Sequence, residues 1–372
     1  MKGRRGKIRV GVIFGGRSGE HEVSLVSAQS IMSAIDRSKY EVVPIGITKE
    51  GRWLTTGEPM KQLHAALDKT PAALTPPPNP LPEAASQQTR DLIPGTREAG
   101  IPVLDVVFPV LHGPYGEDGT MQGLLELANL PYVGSGVLGS ALGMDKAAMK
   151  AIFRDAGLPT VSALVVLRRE WEADPEGMAA QVAQEIGYPC FVKPANMGSS
   201  VGISKVHQPG ELAEAMAMAC AYDRKVLIEV AVEAREIECS VLGNDAPIAS
   251  ILGEIVPKRE FYDYTAKYGD EDTELIIPAP LPPETTAAIR EMALRAFCAL
   301  DCAGMARVDF FLDKQTGQVY VNELNTIPGF TPISMYPKLW AASGIPYPEL
   351  IDRLIELALE RFADKQRTRT SI

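Results

Sequence analysis

The chain has 372 residues, too many for one comfortable hydrophobic core, so two or three domains are expected. Hydrophobic residues make up 46% of it and charged residues 23%, the balance of a soluble globular protein. The formal net charge is −10 and no long basic run follows the first seven residues, which argues against nucleic acid and anionic membranes as partners.

The head, MKGRRGKIRVGVIF, runs directly into a strand at Lys7–Phe14. It lacks the apolar core and small-residue cleavage site of a secretory signal, and no apolar run reaches membrane-spanning length. The loop Gly15–Glu20 follows, then a helix carrying Ala28, Ile31, Met32 and Ile35, then a strand over Glu41–Ile47. This β-loop-α-β start predicts a parallel, Rossmann-like first layer. The loop reads GGRSGE, with Arg17 where the dinucleotide fingerprint requires glycine, so a nicotinamide cofactor is disfavoured. Residues 68–100 are rich in proline and alanine and read as a surface insertion, a partner-binding polyproline segment being the lesser alternative. Strand character resumes at Val103–Leu111, and HGPYGEDG (His112–Gly119) leads into a helix through Leu124, Leu125 and Ala128. A domain boundary is expected near Gly134–Gly139.

Beyond it, Asp145–Ala156 reads as a helix stopped by Gly157 and Pro159. Short strands at Cys190–Lys193 and Val201–Val206 flank the loop NMGSSVG (Asn196–Gly202). Glycines there allow close backbone approach, and successive N–H groups with serine hydroxyls can cradle a phosphate, with Lys193 just upstream as a point charge. A plain Gly/Ser hairpin turn explains that loop alone equally well, and no Walker motif is present. A helix over Gly210–Ala221 and strands at Lys225–Glu229, Glu236–Leu242 and Ile248–Ile255 follow. Lys258–Glu274 is polar, aromatic and weakly periodic, which suggests a long functional loop. A helix over Glu284–Leu300 carries Cys298, one of five cysteines (190, 220, 239, 298 and 302) that form no CxxC and suit a reducing cytosol. A closing helix spans Tyr347–Ala363.

The most telling stretch is ARVDFFLDKQTGQVYVNELN, Ala306–Asn325. Strand-forming runs at Ala306–Leu312 and Val319–Asn325 flank a polar turn with Gly317, a β-hairpin pattern. Alternation puts Arg307, Asp309 and Phe311 on one face, and Glu323 with Asn325 on one face of the second strand. Two carboxylates and an amide oxygen beside a guanidinium suit Mg²⁺, which leaves its other positions to water and phosphate. Acidic residues on strands usually face water, but these runs are otherwise apolar, and a buried carboxylate needs a partner.

Taken in order, GGRSGEHEVSL, LHGPYGEDGTMQG, GMDK, FVKPANMGSSVG, EFYDYTAKY, ARVDFF and VNELNTIPGFTPIS make the chain resemble the D-alanine–D-alanine ligases of the ATP-grasp superfamily, from Gly15 to Ser334. The resemblance implies an α/β (α+β) protein, an ATP-grasp fold preceded by a Rossmann-like N-terminal domain. Its parts are a substrate domain at 1–138, a central ATP-grasp subdomain at 139–230, and a C-terminal ATP-grasp and metal domain at 231–372 with a lid at 258–274. By similarity, Lys146, Lys193 and Lys267 meet the ATP phosphates, with Ser199 and Ser200 in the loop above them. Glu229 faces adenine, with Val230 and Val232 beside it, and Glu236 faces the ribose. Asp309, Glu323 and Asn325 hold two Mg²⁺ ions, with Mn²⁺ as a substitute, and Asn322 adjoins the nucleotide. Glu20 receives the ammonium of the first D-alanine, while Ser334 and the Met335 N–H receive the carboxylate of the second. Arg307 and the Gly329 N–H face the oxyanion. Tyr268 joins Glu20 and Ser199 in a hydrogen-bonded set, and relatives that accept D-lactate carry histidine there. The resemblance also implies a cytoplasmic homodimer serving peptidoglycan precursor synthesis.

The chemistry expected is ATP-dependent. One D-alanine is activated by the γ-phosphate as an acyl phosphate, which a neutral amine attacks, and lysines and metal neutralise charge during transfer. No strong base stands out; His112 is placed to orient groups near the site. The alternatives are a D-alanine–D-lactate or D-serine ligase and a non-catalytic ATP-binding protein. With tyrosine at 268, a dipeptide is expected over a depsipeptide.

Overall fold

The computed structural model describes residues 6–67, 103–256 and 274–369. The proline-rich insertion, nearly all of the expected lid, and with it Lys267 and Tyr268, lie outside the described residues.

Three sheets organise the described chain. The first contains β1 (Ile8–Gly15), β2 (Tyr40–Ile47), β3 (Trp53–Leu54) and β4 (Val106–Val110) in the order β3-β2-β1-β4. β1 pairs in parallel with both β2 and β4, and only β3 runs antiparallel. The expected Rossmann-like layer is therefore present. Its helices are α1 (His21–Ala34), α2 (Pro59–Leu67) and α3 (Thr120–Leu127). α4 (Val137–Met144) occupies the region read from sequence as a boundary, and Gly139 lets it sit against the backbone oxygen of Asp301, 2.7 Å from where a Cβ would stand. α5 (Lys146–Asp155) follows, capped by Asp145, whose carboxylate accepts from the Ala147 and Ala148 N–H groups.

The second sheet is antiparallel, ordered β5-β8-β6-β7, from β5 (Ala163–Leu167), β6 (Cys190–Pro194), β7 (Ser204–Val206) and β8 (Lys225–Val230). α6 (Arg168–Ala173), α7 (Pro175–Glu185) and α8 (Leu212–Tyr222) accompany it. The strand expected from Val201 starts only at Ser204. Ser199, Ser200 and Gly202 have φ of 48°, 59° and 74°, which no strand accommodates. The helix expected from Gly210 begins as a 3₁₀ turn, Pro209–Glu211.

The third sheet is antiparallel, ordered β11-β10-β9-β12-β13, from β9 (Ala234–Gly243), β10 (Ile248–Val256), β11 (Glu274–Ile276), β12 (Gly304–Asp313) and β13 (Val319–Asn325). The hairpin expected at Ala306–Asn325 is β12–β13. α9 (Pro283–Ala299) covers its apolar face with Ile289, Ala293, Ala296 and Phe297, against Val308 and Phe310 among others.

The last two helices, α10 (Met335–Ala342) and α11 (Tyr347–Lys365), return to the first sheet. Leu350, Ile351, Leu354 and Ile355 of α11 share one core with Val10, Phe14 and Phe108 of the first layer. Phe330 is the hinge-pin of this shared core. Its ring meets Phe108 edge-on at 6.0 Å, Tyr336 at 5.4 Å and Tyr347 at 6.2 Å. Its N–H donates to Ser27 Oγ (3.3 Å), and its carbonyl accepts from the Tyr347 hydroxyl (3.0 Å). Ser27 Oγ also lies 3.3 Å from His112 Nε2, whose Nδ1 lies 3.1 Å from Ile327 O. The loop after β13 is thus seated by residues of the first layer. Phe330→Ala should cost about 3–5 kcal/mol, as aromatic truncations in cores do. The check is a denaturant titration, in which the midpoint should fall; an unchanged midpoint would show that the ring is not a tie between the layers.

Candidate active site

The site is built where the three sheets meet. From the first layer comes Glu20, at the start of α1. Its carboxylate accepts a very short hydrogen bond from the Ser199 hydroxyl, across from the second sheet. Two glycines make that approach possible. A Cβ on Gly113 would lie 2.7 Å from Glu20 Oε2, and one on Gly198 would lie 2.6 Å from it. Gly113 also has a φ of +75°. Its N–H donates to Glu117 Oε2 at 2.6 Å. Burial raises the Glu117 carboxyl well above its usual range, and the neighbouring Glu20 adds to the effect. Burial in turn lowers His112, more than Glu20 and the Ile327 carbonyl raise it, so the imidazole is held toward its neutral form.

From the second sheet comes the loop Asn196–Gly202, whose left-handed Ser199 and Ser200 turn the backbone back on itself. α5 supplies two lysines one helical turn apart. Lys146 Nζ donates to Met197 O at 2.6 Å and lies 3.7 Å from Glu323 Oε2, joining the phosphate-type loop to the hairpin. Lys150 Nζ lies 2.8 Å from Glu229 Oε1, while Lys193 Nζ donates to Glu229 Oε2 at 2.5 Å. Burial alone would push the Glu229 carboxyl up, but Lys193 and Lys150 together outweigh it and hold it at about 2. Each Glu229 oxygen thus faces one lysine and keeps a lone pair free of it, so the carboxylate expected to face adenine is braced by two cations. Val230 ends β8 and Val232 lies in the crossing to β9, while Glu236 stands half-buried on β9 opposite Phe311.

From the third sheet come the oxygen-bearing side chains Asp309, Glu323 and Asn325. Asp309 pairs with Glu323 and Arg307 with Asn325, so all four share a face. That depends on a register shift between Asp309 and Phe310, which leaves Asn322 as an extra residue. Without it, strict alternation would send Glu323 to the buried side with Val319 and Val321. Arg307 forks onto Asp309 with two bonds of 2.7 Å, and its Nε lies 3.1 Å from Glu238. Burial would lower the Arg307 guanidinium, yet Asp309 and Glu238 hold it firmly charged. Asn325 Nδ2 donates to Asp309 Oδ2 at 3.0 Å. Among the described residues no three histidine, cysteine or acidic side chains form a closed metal cage. The donor set of Asp309, Glu323 and the Asn325 amide is open, as fits Mg²⁺ completed by phosphate oxygens, and the guanidinium on Asp309 already stands where a cation is wanted.

The loop after β13 brings Gly329 and Ser334 together: a Cβ on Gly329 would lie 2.7 Å from Ser334 Oγ. Ser334 is the N-cap of α10, so the Met335 N–H opens that helix, a place suited to a carboxylate. A cavity of about 50 Å³ lies at the junction, lined by Glu117, Lys146, Gly198, Ser199, Glu323 and Asn325 among others.

The structure thus gathers Ser199, Ser200, Lys146, Glu323 and Asn325 around one space, with Glu20 behind it on Ser199 and with Arg307 and Asp309 on the sheet face of Glu323 and Asn325. Sequence reading passed over Glu117, Lys150 and Glu238. Lys150 had a signal, its i, i+4 spacing from Lys146 on one helix face. Glu238 had none, because its place opposite Asp309 is set by strand pairing alone.

With this geometry established, comparison with known proteins is decisive. The D-ala D-ala ligase N-terminus model matches residues 9–135 and the D-ala D-ala ligase C-terminus model residues 152–356. The chain belongs to the D-alanine–D-alanine ligase family. It is 54% identical over 364 residues to the D-alanine–D-alanine ligase of Heliobacterium modesticaldum, covering 98% of both chains. Among solved structures it resembles the D-alanine–D-alanine ligase of Coxiella burnetii, with a TM-score of 0.80 and 37% identity over 97% of this chain and 96% of that one. It also resembles the VanG D-Ala:D-Ser ligase of Enterococcus faecalis, with a TM-score of 0.78 and 35% identity over 95% of this chain and all of the other.

The close approach of Gly198 to Glu20 yields a direct test. Gly198→Ala should leave the thermal midpoint within a few degrees but cut turnover at least tenfold, because the new methyl expels the Glu20 carboxylate. Full activity in that variant would show that the Glu20–Ser199 contact is dispensable.

Proposed function

We propose that the chain joins two D-alanine molecules into D-alanyl-D-alanine, converting ATP to ADP and phosphate through an acyl phosphate. The observation that carries this reading is the space in which the Ser199 loop, bonded to Glu20, meets Lys146 and the Glu323–Asn325 face. An ammonium-binding carboxylate, phosphate-binding cations and an oxygen-ligand face stand side by side, as phosphoryl transfer to an amino acid requires.

In this reading Glu20 binds the ammonium of the first D-alanine and turns its carboxylate toward the γ-phosphate. Lys146, Lys193 and the loop of Ser199 and Ser200 hold the phosphates, with Lys267 closing from the lid. Glu229 faces adenine, with Val230, Val232 and Asn322 bordering the nucleotide, and Glu236 faces the ribose. Asp309, Glu323 and Asn325 would hold two Mg²⁺ ions, which supply charge neutralisation to the transferring phosphoryl group when bound. Arg307 and the Gly329 N–H face the oxygen that gains charge when the second amine attacks; loss of one such donor typically costs roughly 10²–10³ in rate. Ser334 and the Met335 N–H receive the second carboxylate. Tyr268, outside the described residues, is by family resemblance the partner of Glu20 and Ser199.

Several features go with this reading. The three separate sheets support three domains, at 1–138, 139–230 and 231–372. No helix among the described residues is long and apolar enough to cross a membrane. We place the enzyme in the cytoplasm, where ATP is supplied, as a homodimer that feeds peptidoglycan synthesis; sedimentation would give twice the 40.2 kDa chain mass.

The neighbouring D-Ala:D-Ser ligase gives a reason to test the acceptor. With ATP, Mg²⁺ and equal D-alanine, D-serine and D-lactate, mass spectrometry should find D-alanyl-D-alanine as the main product near neutral pH. A predominant depsipeptide or D-alanyl-D-serine would contradict the acceptor assignment. Separately, Glu323→Gln should abolish turnover at ordinary Mg²⁺ while the protein stays folded. Retained turnover would remove the β12–β13 face as the metal site.

A further inference from the structure

Lys150 has no part in the chemistry above, yet it is only 1% exposed. A buried ammonium is costly unless it is paired and hydrogen-bonded. Its partner is Glu229, also 1% exposed, which it meets at 2.8 Å from the α5 side. The other Glu229 oxygen meets Lys193 at 2.5 Å. Phe191, directly opposite Glu229 in the β6–β8 register, lies beneath the Lys193 ammonium at 5.5 Å, so Lys193 and Glu229 share a sheet face.

The charge count of this cluster matters. A carboxylate paired with Lys193 alone would cancel it, and a neutral buried pair attracts a phosphate weakly. Two ammonium groups on one carboxylate leave one unit of positive charge. We propose that Lys150 is a charge-setting and positioning residue: by engaging the far oxygen of Glu229, it keeps the positive charge of Lys193 available to the polyphosphate of a nucleotide. This rests on the ATP reading above and deepens it, since it gives Lys150, through Glu229, a part in the charge that the phosphates meet.

The test separates charge from packing. Dissociation constants for adenosine, ADP and ATP would be measured on the full-length protein by displacement of a fluorescent ATP analogue. Lys150→Met, close in volume but neutral, should weaken ADP and ATP by about ten- to a hundredfold, as loss of a nearby unit charge in a poorly solvated site does, and change adenosine little. Lys150→Arg should stay near wild type. The double variant Lys150→Met, Glu229→Gln should recover most of the loss, because Lys193 is no longer cancelled. Equal weakening of adenosine, ADP and ATP, or a double variant no better than the single one, would overturn the proposal. If Lys150→Met does not fold, Glu229→Gln alone decides. The proposal requires its preference for ADP over adenosine to equal or exceed that of the wild type, and a reduced preference overturns it. Wild-type protein that binds neither ADP nor ATP would overturn the nucleotide reading, and this inference with it.

Discussion

A cleft that must gather a polyphosphate and two amino-acid carboxylates has to concentrate positive charge, and positive charge in a buried place persists only against carboxylates. The architecture of this protein follows from that constraint. The cations at the junction of the sheets are braced by anions: Lys146 by Glu323, Lys150 and Lys193 by Glu229, and Lys225 by Asp145, each from another element, and Arg307 by Glu238 of β9 as well as by Asp309 of its own strand. The braces are also the joints. Lys146 links α5 to the hairpin, Lys225 links β8 to the cap of α5, and the Ser199–Glu20 contact links the second sheet to the first. Electrostatic preorganisation and the assembly of layers are one arrangement.

The same economy appears on the apolar side. The loop bearing Gly329 and Ser334 belongs in sequence to the third sheet, but Phe330 is embedded against Phe108 of the first layer, and α11 completes the core of that layer. Ser27 and His112 finish the seat with hydrogen bonds. An imidazole held between the Ser27 hydroxyl and the Ile327 carbonyl orients the loop. Gly329 and Ser334 are therefore fixed to the layer that supplies Glu20, which keeps them in register with it.

Much of this was legible in the sequence for a physical reason. Alternation in β12 reports which side chains leave the apolar face, and glycine-rich loops report close approach. Arg307, Asp309, Glu20, Ser199 and Lys146 could be found from such signals together with the order of motifs. What stayed hidden depends on pairing across the chain. Glu323 is legible beside Asn325, but the irregularity at Asn322 that carries it to the face of Asp309 is not. Glu238 becomes relevant by standing opposite Asp309, and Glu229 is met by Lys150, which comes over from α5. The strand assigned from Val201 failed for a local reason: Ser199 and Ser200 adopt left-handed conformations that serines seldom take.

The account stands on activation of a carboxylate by phosphoryl transfer, and the fate of one oxygen tests it most directly. D-Alanine labelled with ¹⁸O in its carboxylate would be turned over with ATP and Mg²⁺, and the released phosphate analysed by mass spectrometry. Attack of the carboxylate on the γ-phosphate, followed by attack of the second amine on the acyl carbon, carries one labelled oxygen into each phosphate. Phosphate bearing one ¹⁸O per dipeptide formed is the predicted result; dipeptide formed with unlabelled phosphate would contradict it.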